Sequence, residues 1–202
     1  MNLLERIRDA WRDRRHRDPT VKWLRDEAFE VTVDLYRGLL CGVGIGEPIK
    51  GLRPLGPASD FTCMGICWND GDKCIDGPTT LHCRYYDRGV GFAASENLKL
   101  DSFSLTLRAT DVWSEYSPYK SKIMLDGVEI PVSEMANRRR VDLHLGTPRF
   151  VDDNPRFTAQ SAHYDVDLLY FQIDFDEKGR TDHINISRPE WLAKEKISVP
   201  PT

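Results

Sequence analysis

Leu52-Arg53-Pro54-Leu55-Gly56-Pro57 decides how this chain is read, because its pattern returns as Leu143-His144-Leu145-Gly146-Thr147-Pro148. Downstream of the first copy come Tyr85-Tyr86-Asp87, Val90-Gly91-Phe92 and Leu100-Asp101-Ser102-Phe103-Ser104-Leu105. Downstream of the second come Tyr164-Asp165, Leu168-Leu169-Tyr170-Phe171 and Ile184-Asn185-Ile186. Upstream of each copy lies a hairpin signal. Phe29, Val31, Val33 and Leu35 alternate with mostly polar residues before Arg37-Gly38, which is the period-two pattern of a half-buried strand. In Ile123-Met124-Leu125-Asp126-Gly127-Val128-Glu129-Ile130 the Asp-Gly pair sits between alternating apolar residues, and both central residues tolerate the positive φ that a tight hairpin needs. One order therefore occurs twice: hairpin, short helical or irregular connector, Leu-Gly turn, three strands.

This duplication predicts an α+β fold of two related lobes of antiparallel sheet, with short helices packed on one face and an N-terminal amphipathic helix. The expected divisions are an N-terminal helical segment 1–28, a first β-rich repeat 29–110 with a Cys-rich insertion 61–83, a linker 111–121, a second β-rich repeat 122–187 and a tail 188–202. Leu3, Leu4, Ile7 and Trp11 carry the helical spacing of the first segment, among arginines that Glu5, Asp9, Asp13 and Asp18 offset. Gly56 stands 30 residues before Tyr86, whereas Gly146 stands 18 before Tyr164, so the first copy holds extra chain in the cysteine-rich stretch. A decoration on one copy of a duplicated scaffold is where function often sits.

With 202 residues, 40% of them hydrophobic and 30% charged, the chain is long enough to bury a core without staples. A net charge of −4 offers no global attraction to nucleic acid or an anionic membrane, so neither is an expected partner. No apolar run is long enough to span a bilayer, and charges interrupt the N-terminus by position five, so a cytoplasmic setting without stable membrane insertion is expected. There the five cysteines are expected to be reduced or metal-bound.

Cys63, Cys67, Cys74 and Cys83 are the candidate metal ligands, since thiolates at short spacings can wrap one tetrahedral zinc ion. Their spacing is not that of two zinc knuckles, and the bland alternative makes Cys83 and Cys41 ordinary core residues. Asn69-Asp70-Gly71-Asp72 lacks the later ligands of a calcium loop and reads as a hairpin tip. Arg138-Arg139-Arg140 reads as a solvated charge run or an anion contact. His16, His82, His144, His163 and His183 are scattered, and no phosphate-cradling loop, H-E-x-x-H or G-x-S-x-G is present. The expectation is therefore no enzyme and no cofactor, apart from that structural zinc; a hydrolase working through the histidines with Asp165 or Asp167 is the outlying alternative. Trp68, Trp113, Tyr116 and Tyr119 are the candidate partner anchors, because Tyr and Trp bury large area at small rotamer cost. The competing account of residues 113–119 is a linker folded back to cement the lobes.

Leu55, Gly56 and Pro57 with Tyr85, Tyr86 and Phe92, and again Leu145, Gly146 and Pro148 with Tyr164 and Phe171, resemble the repeat of the β-lactamase inhibitory protein and the small outer-membrane assembly lipoproteins. That resemblance implies a tandem sheet working as an inhibitor, immunity protein or assembly module, and it transfers no catalytic residue. The function expected is a non-enzymatic protein-binding module, immunity or inhibitor-like and bacterial, that covers a toxin or enzyme with its concave sheet face and insertion loop. The alternative is a zinc-stabilised structural or regulatory module.

Overall fold

The computed structural model describes residues 17–70, 73–111, 114–152 and 160–189, with the backbone alone over 65–70 and 73–79. The expected N-terminal helix thus falls outside the described residues except for its last positions. In chain order the strands are β1 (Thr32–Asp34), β2 (Leu39–Leu40), β3 (Val43–Gly44), β4 (Asp60–Asp70), β5 (Lys73–Tyr85), β6 (Val90–Ser95), β7 (Leu100–Thr106), β8 (Lys122–Leu125), β9 (Val128–Ile130), β10 (Phe150–Asp152), β11 (Gln160–Val166), β12 (Leu169–Phe175) and β13 (Thr181–Ser187). They form a five-stranded sheet, β3-β2-β1-β8-β9, and an eight-stranded sheet, β10-β11-β12-β13-β7-β6-β5-β4.

The molecule is mostly β-sheet, which corrects the expected α+β class with helices packed on one face. The connectors are too short and too interrupted to give helical layers. Among the described residues the only α-helix is α1 (Arg138–Leu145), opened by Asn137, whose side chain accepts from the Arg140 amide, and closed at Gly146. The matching connector of the first segment is a 3-10 helix, Ile49–Leu55, with Pro54 inside it, where proline lacks the donor a continuing α-helix needs. Both connectors nevertheless end in one conformation. Gly56 has φ 79° and ψ −166°, and Gly146 has φ 83° and ψ −157°, a region open to glycine and costly for other residues. The leucines before them, Leu55 and Leu145, are buried.

Nor does the chain divide into two lobes. β1 pairs in parallel with β8, and β7 pairs antiparallel with β13, so each sheet draws strands from both segments. One contiguous core runs from Val31, Val33 and Leu35 through Phe92, Phe103 and Leu105 to Tyr164, Phe171 and Ile186. The buried carboxylate of Asp34 accepts from the amides of Arg37, Asp126 and Gly127, at 3.2, 3.1 and 2.8 Å, pinning the β8–β9 hairpin to β1. Asp126 and Gly127, at φ 50° and 80°, make the tight turn that the Asp-Gly pair predicts.

The eight-stranded sheet is amphipathic. Alternation along each strand places Cys83, Phe92, Phe103, Ile186, Phe171 and Tyr164 in one row on its inner face, joined by the ladder registers. Each fully buried aromatic of that row contributes roughly 1.5–3 kcal/mol relative to exposure. The five-stranded sheet, the 3-10 helix and α1 all contribute to this inner core: Leu52, Leu55, Val141 and Leu145 belong to it, Tyr85 donates to the Gly56 carbonyl, and Tyr164 donates to Asp142 of α1.

Candidate functional site

The outer face of the same sheet is polar. One ladder row reads Asp60, Arg84, Gly91, Ser104, Asn185, Gln172, His163 and Phe150; the rows beside it hold His82, Ala93 and Ser102 on one flank and Thr106, His183, Asp174 and Ser161 on the other. Over β5, β6 and β7 the face sinks into a hollow of about 260 Å³. Its floor is Gly91, Ala93, Ser102 and Ser104, and its walls are His82 and Arg84 on β5, His183 and Asn185 on β13, and Tyr116. A Cβ added at Gly91 would stand 3.2 Å from Ser104 Oγ and 3.7 Å from the Tyr116 hydroxyl.

Tyr116 reaches the hollow because the stretch 114–121 folds back on the sheet. Ser117 donates to the Tyr86 carbonyl and Tyr119 to the Thr106 carbonyl, both at 2.7 Å, while Tyr116 meets the edge of Tyr86 at 4.8 Å between ring centroids. Gly89 makes this approach possible: a Cβ there would lie 2.5 Å from the Ser117 carbonyl oxygen, and its φ is +65°.

Burial and the charge of Arg84 hold the His82 imidazole below its ordinary pKa, so it is neutral at pH 7. Burial lowers His183 to about 4, and its Nδ1 lies 3.3 Å from Thr106 Oγ1. Burial pushes the Tyr116 phenol up to about 12, with Arg84 opposing. Arg84 is ion-paired with Asp60 through one guanidinium nitrogen.

Of the expected anchors, Tyr116 and Tyr119 are buried rather than displayed, at 7% and 2% exposure. The Tyr119 hydroxyl lies 2.9 Å from the Val31 carbonyl oxygen and 2.7 Å from that of Lys122, stapling the connection to the five-stranded sheet. Trp113 and the Trp68 side chain lie outside the described residues. The cementing account therefore describes Tyr119 fully and Tyr116 in part, since the latter also walls the hollow.

The ladder does not bring the four cysteines together. The insertion is the β4–β5 hairpin, in which Cys83 pairs with Phe61, Cys63 with Leu81, Cys67 with Asp76 and Cys74 with Asn69. The levels from Phe61 to Asn69 span roughly 27 Å at ~3.4 Å per residue, whereas zinc holds its sulfurs at about 2.3 Å. Among the described residues no group of three His, Cys, Asp or Glu side chains could hold a metal. Cys83 is buried, and burial raises its thiol to about 12, as core packing requires.

Nor do the hydrolase candidates converge. His163 and His183 occupy β11 and β13, with β12 between them and one row of offset. His163 Nδ1 lies 2.5 Å from the Tyr170 hydroxyl and its ring stacks on Phe150 at 4.0 Å, while Asp165 lies 3.5 Å from Arg149 and Asp167 forms the β11–β12 turn. Two arginines of the run are held in ion pairs, Arg138 with Asp142 and also bonded to Gln160, and Arg140 with Glu134, while Arg139 is exposed. Among the described residues no helix is long and apolar enough to cross a membrane.

The outer-face hollow is what sequence reading missed. Gly91 inside Val90-Gly91-Phe92, with Ser102 and Ser104 alternating against Leu100, Phe103 and Leu105, was its visible trace.

No family model matches the chain, and no curated protein does. A solved structure similar to it is a DUF4309 family protein, YjgB, from Bacillus subtilis, at 18% identity over 72% of this chain and 73% of that one, with a TM-score of 0.32. A likeness at that level carries no argument.

Proposed function

We propose that the protein is a non-enzymatic binding module, immunity or inhibitor-like, that covers a protein partner such as a toxin or enzyme with the outer face of its eight-stranded sheet. The observation that carries this is the amphipathic sheet itself: its inner face is sealed into the core, while its outer face carries a polar hollow walled by Arg84, His82, Asn185 and Tyr116. Side chains that converge on a concave polar surface fix the orientation of what they contact. The resemblance of the Leu-Gly repeat to the β-lactamase inhibitory protein supports the same reading. A cytoplasmic setting is part of the proposal.

The test is affinity capture from the native host with the wild-type chain beside the double variant Ser102→Arg/Ser104→Arg, whose added side chains stand on the outer face and leave the core intact. A stoichiometric protein partner held by the wild type and lost by the variant, at unchanged melting temperature, is the expected result. A partner retained by the variant would move the interface elsewhere.

A further inference from the structure

The floor of the hollow is built from residues smaller than the strands require. Gly91 occupies a central strand of the eight-stranded sheet, where glycine costs roughly 0.5–1 kcal/mol for want of a side chain to pack. Its φ does not lie in the left-handed region, unlike those of Gly56, Gly89 and Gly146, so the backbone there accepts any residue. Space is the remaining reason for glycine: a Cβ there would crowd Ser104 Oγ and the Cys83 carbonyl and meet the Tyr116 hydroxyl, which closes one end of the hollow. Ala93, Ser102 and Ser104 continue the trough, between the longer side chains of β5 and β13.

The second half of the same face supplies the contrast. There the row through Gly91 continues as Asn185, Gln172 and His163, and the flanking row as His183, Asp174 and Ser161. These side chains fill their own surface: Ser161 donates to Asp174 at 2.6 Å, and Gln172 lies 3.5 Å from the same oxygen. Over β6 and β7 the small side chains leave the surface uncovered except where Tyr116 reaches in from the 114–121 stretch. The residues around that gap are donors, namely the Arg84 guanidinium, the Asn185 amide, the His82 ring and the Ser102 and Ser104 hydroxyls, and none of the lining side chains is acidic.

We propose that this hollow receives a carboxylate, with Arg84 as the charged donor and Asn185, Ser102 and Ser104 as neutral ones. A guanidinium presents five N–H donors in a fixed fork, so the one engaged by Asp60 leaves others for a second carboxylate. The shape suits a group of a few heavy atoms, and the walls suit an anion bound by hydrogen bonds. This assignment rests on the sheet-face reading and names its chemistry: an aspartate or glutamate side chain of the partner, or a free small carboxylate of the same kind.

The probe is glutarate, titrated into the full chain and followed by backbone amide NMR shifts, with glutaramide as the neutral control and sodium chloride at matched ionic strength. Saturable shifts centred on residues 91–93 and 102–104 are expected with glutarate alone. Arg84→Gln should weaken binding at least tenfold, and Gly91→Gln, which places in the trough the residue that Gln172 provides three strands away, should abolish it. Asn185→Ala, which leaves the floor and Arg84 in place, should weaken it severalfold and serves if either other variant fails to fold. No saturable response, an equal response to glutaramide, or binding unchanged in the folded variants would overturn the assignment. If the partner is captured through Ser102 and Ser104 while glutarate neither binds nor competes, the sheet-face reading stands and the carboxylate falls. Competition by glutarate for the captured partner assigns the group to the partner's side chain; binding without competition assigns it to a free small molecule.

Discussion

One sheet face is finished in two different ways. Over β11, β12 and β13 the outer face holds the buried Ser161, His163, Asp174 and His183, with Asp174 and Ser161 paired and His163 between Tyr170 and Phe150. Over β6 and β7 the same rows of the same ladder shrink to Gly91, Ala93, Ser102 and Ser104, and a hollow remains between them and the side chains of β5. The ladder is continuous, so the difference is made by side-chain size and by the stretch that brings Tyr116 onto one half. The first surface is closed by its own side chains; the second leaves the Arg84 guanidinium and the Asn185 amide around a gap.

The largest effect is expected from the wall of the open half. Gly89→Ala sets a Cβ 2.5 Å from the Ser117 carbonyl oxygen at a φ of +65°, so the stretch from Ser117 to Tyr119 must lift; a loss of about 3 kcal/mol in urea unfolding is expected. An unchanged midpoint would show that the connection is not clamped there.

The closed half is next, through pH. A buried histidine with a depressed pKa binds fewer protons folded than unfolded, so its contribution is complete above about pH 6.5 and is lost as the pH falls toward 4. Across that window His183 accounts for at most ~3 kcal/mol. Asp174, its cross-strand neighbour, is held above the ordinary carboxylate range by burial and works in the opposite direction at the acid end. Unfolding midpoints at pH 7 and 4.5 should differ strongly in the wild type and much less in His183→Gln; equal slopes would place the titration elsewhere.

Smaller again is Ser161→Ala, which strips Asp174 of its 2.6 Å donor and should cost about 1 kcal/mol. Ser104→Ala, its counterpart on the open half, should stay within about 0.5 kcal/mol. Equal costs for these two serines would erase the distinction between the halves.

Much of the strand pattern was legible because alternation is local: Leu100, Phe103 and Leu105, or Ile184 and Ile186, announce an inner face without knowledge of what covers it. The two Leu-Gly turns were legible because glycine there answers a backbone need. The class was misjudged where connectors of helical composition proved to be 3-10 turns and a single short helix, an outcome that Pro54 foreshadows. Two lobes were expected because sequence repeats run along the chain, whereas the pairings of β1 with β8 and β7 with β13 run across it and leave no local mark. Cys63, Cys67, Cys74 and Cys83 looked convergent only while their hairpin was unknown. Tyr116 and Tyr119 carry the composition of an interface, and composition cannot distinguish a contact with another molecule from one with the chain's own strands.

The pairing of β13 with β7 also bears on synthesis. β1 finds its parallel neighbour only after β8 is made, and the eight-stranded ladder is joined only once Ser187, opposite Ser102, has emerged. A nascent chain stopped at residue 110 would present β7 and β1 as bare edges, the surfaces on which unfinished sheets aggregate. Until β8 and β13 have been made, the first half carries these two unpaired edges, so the order of translation sets an interval in which they are exposed.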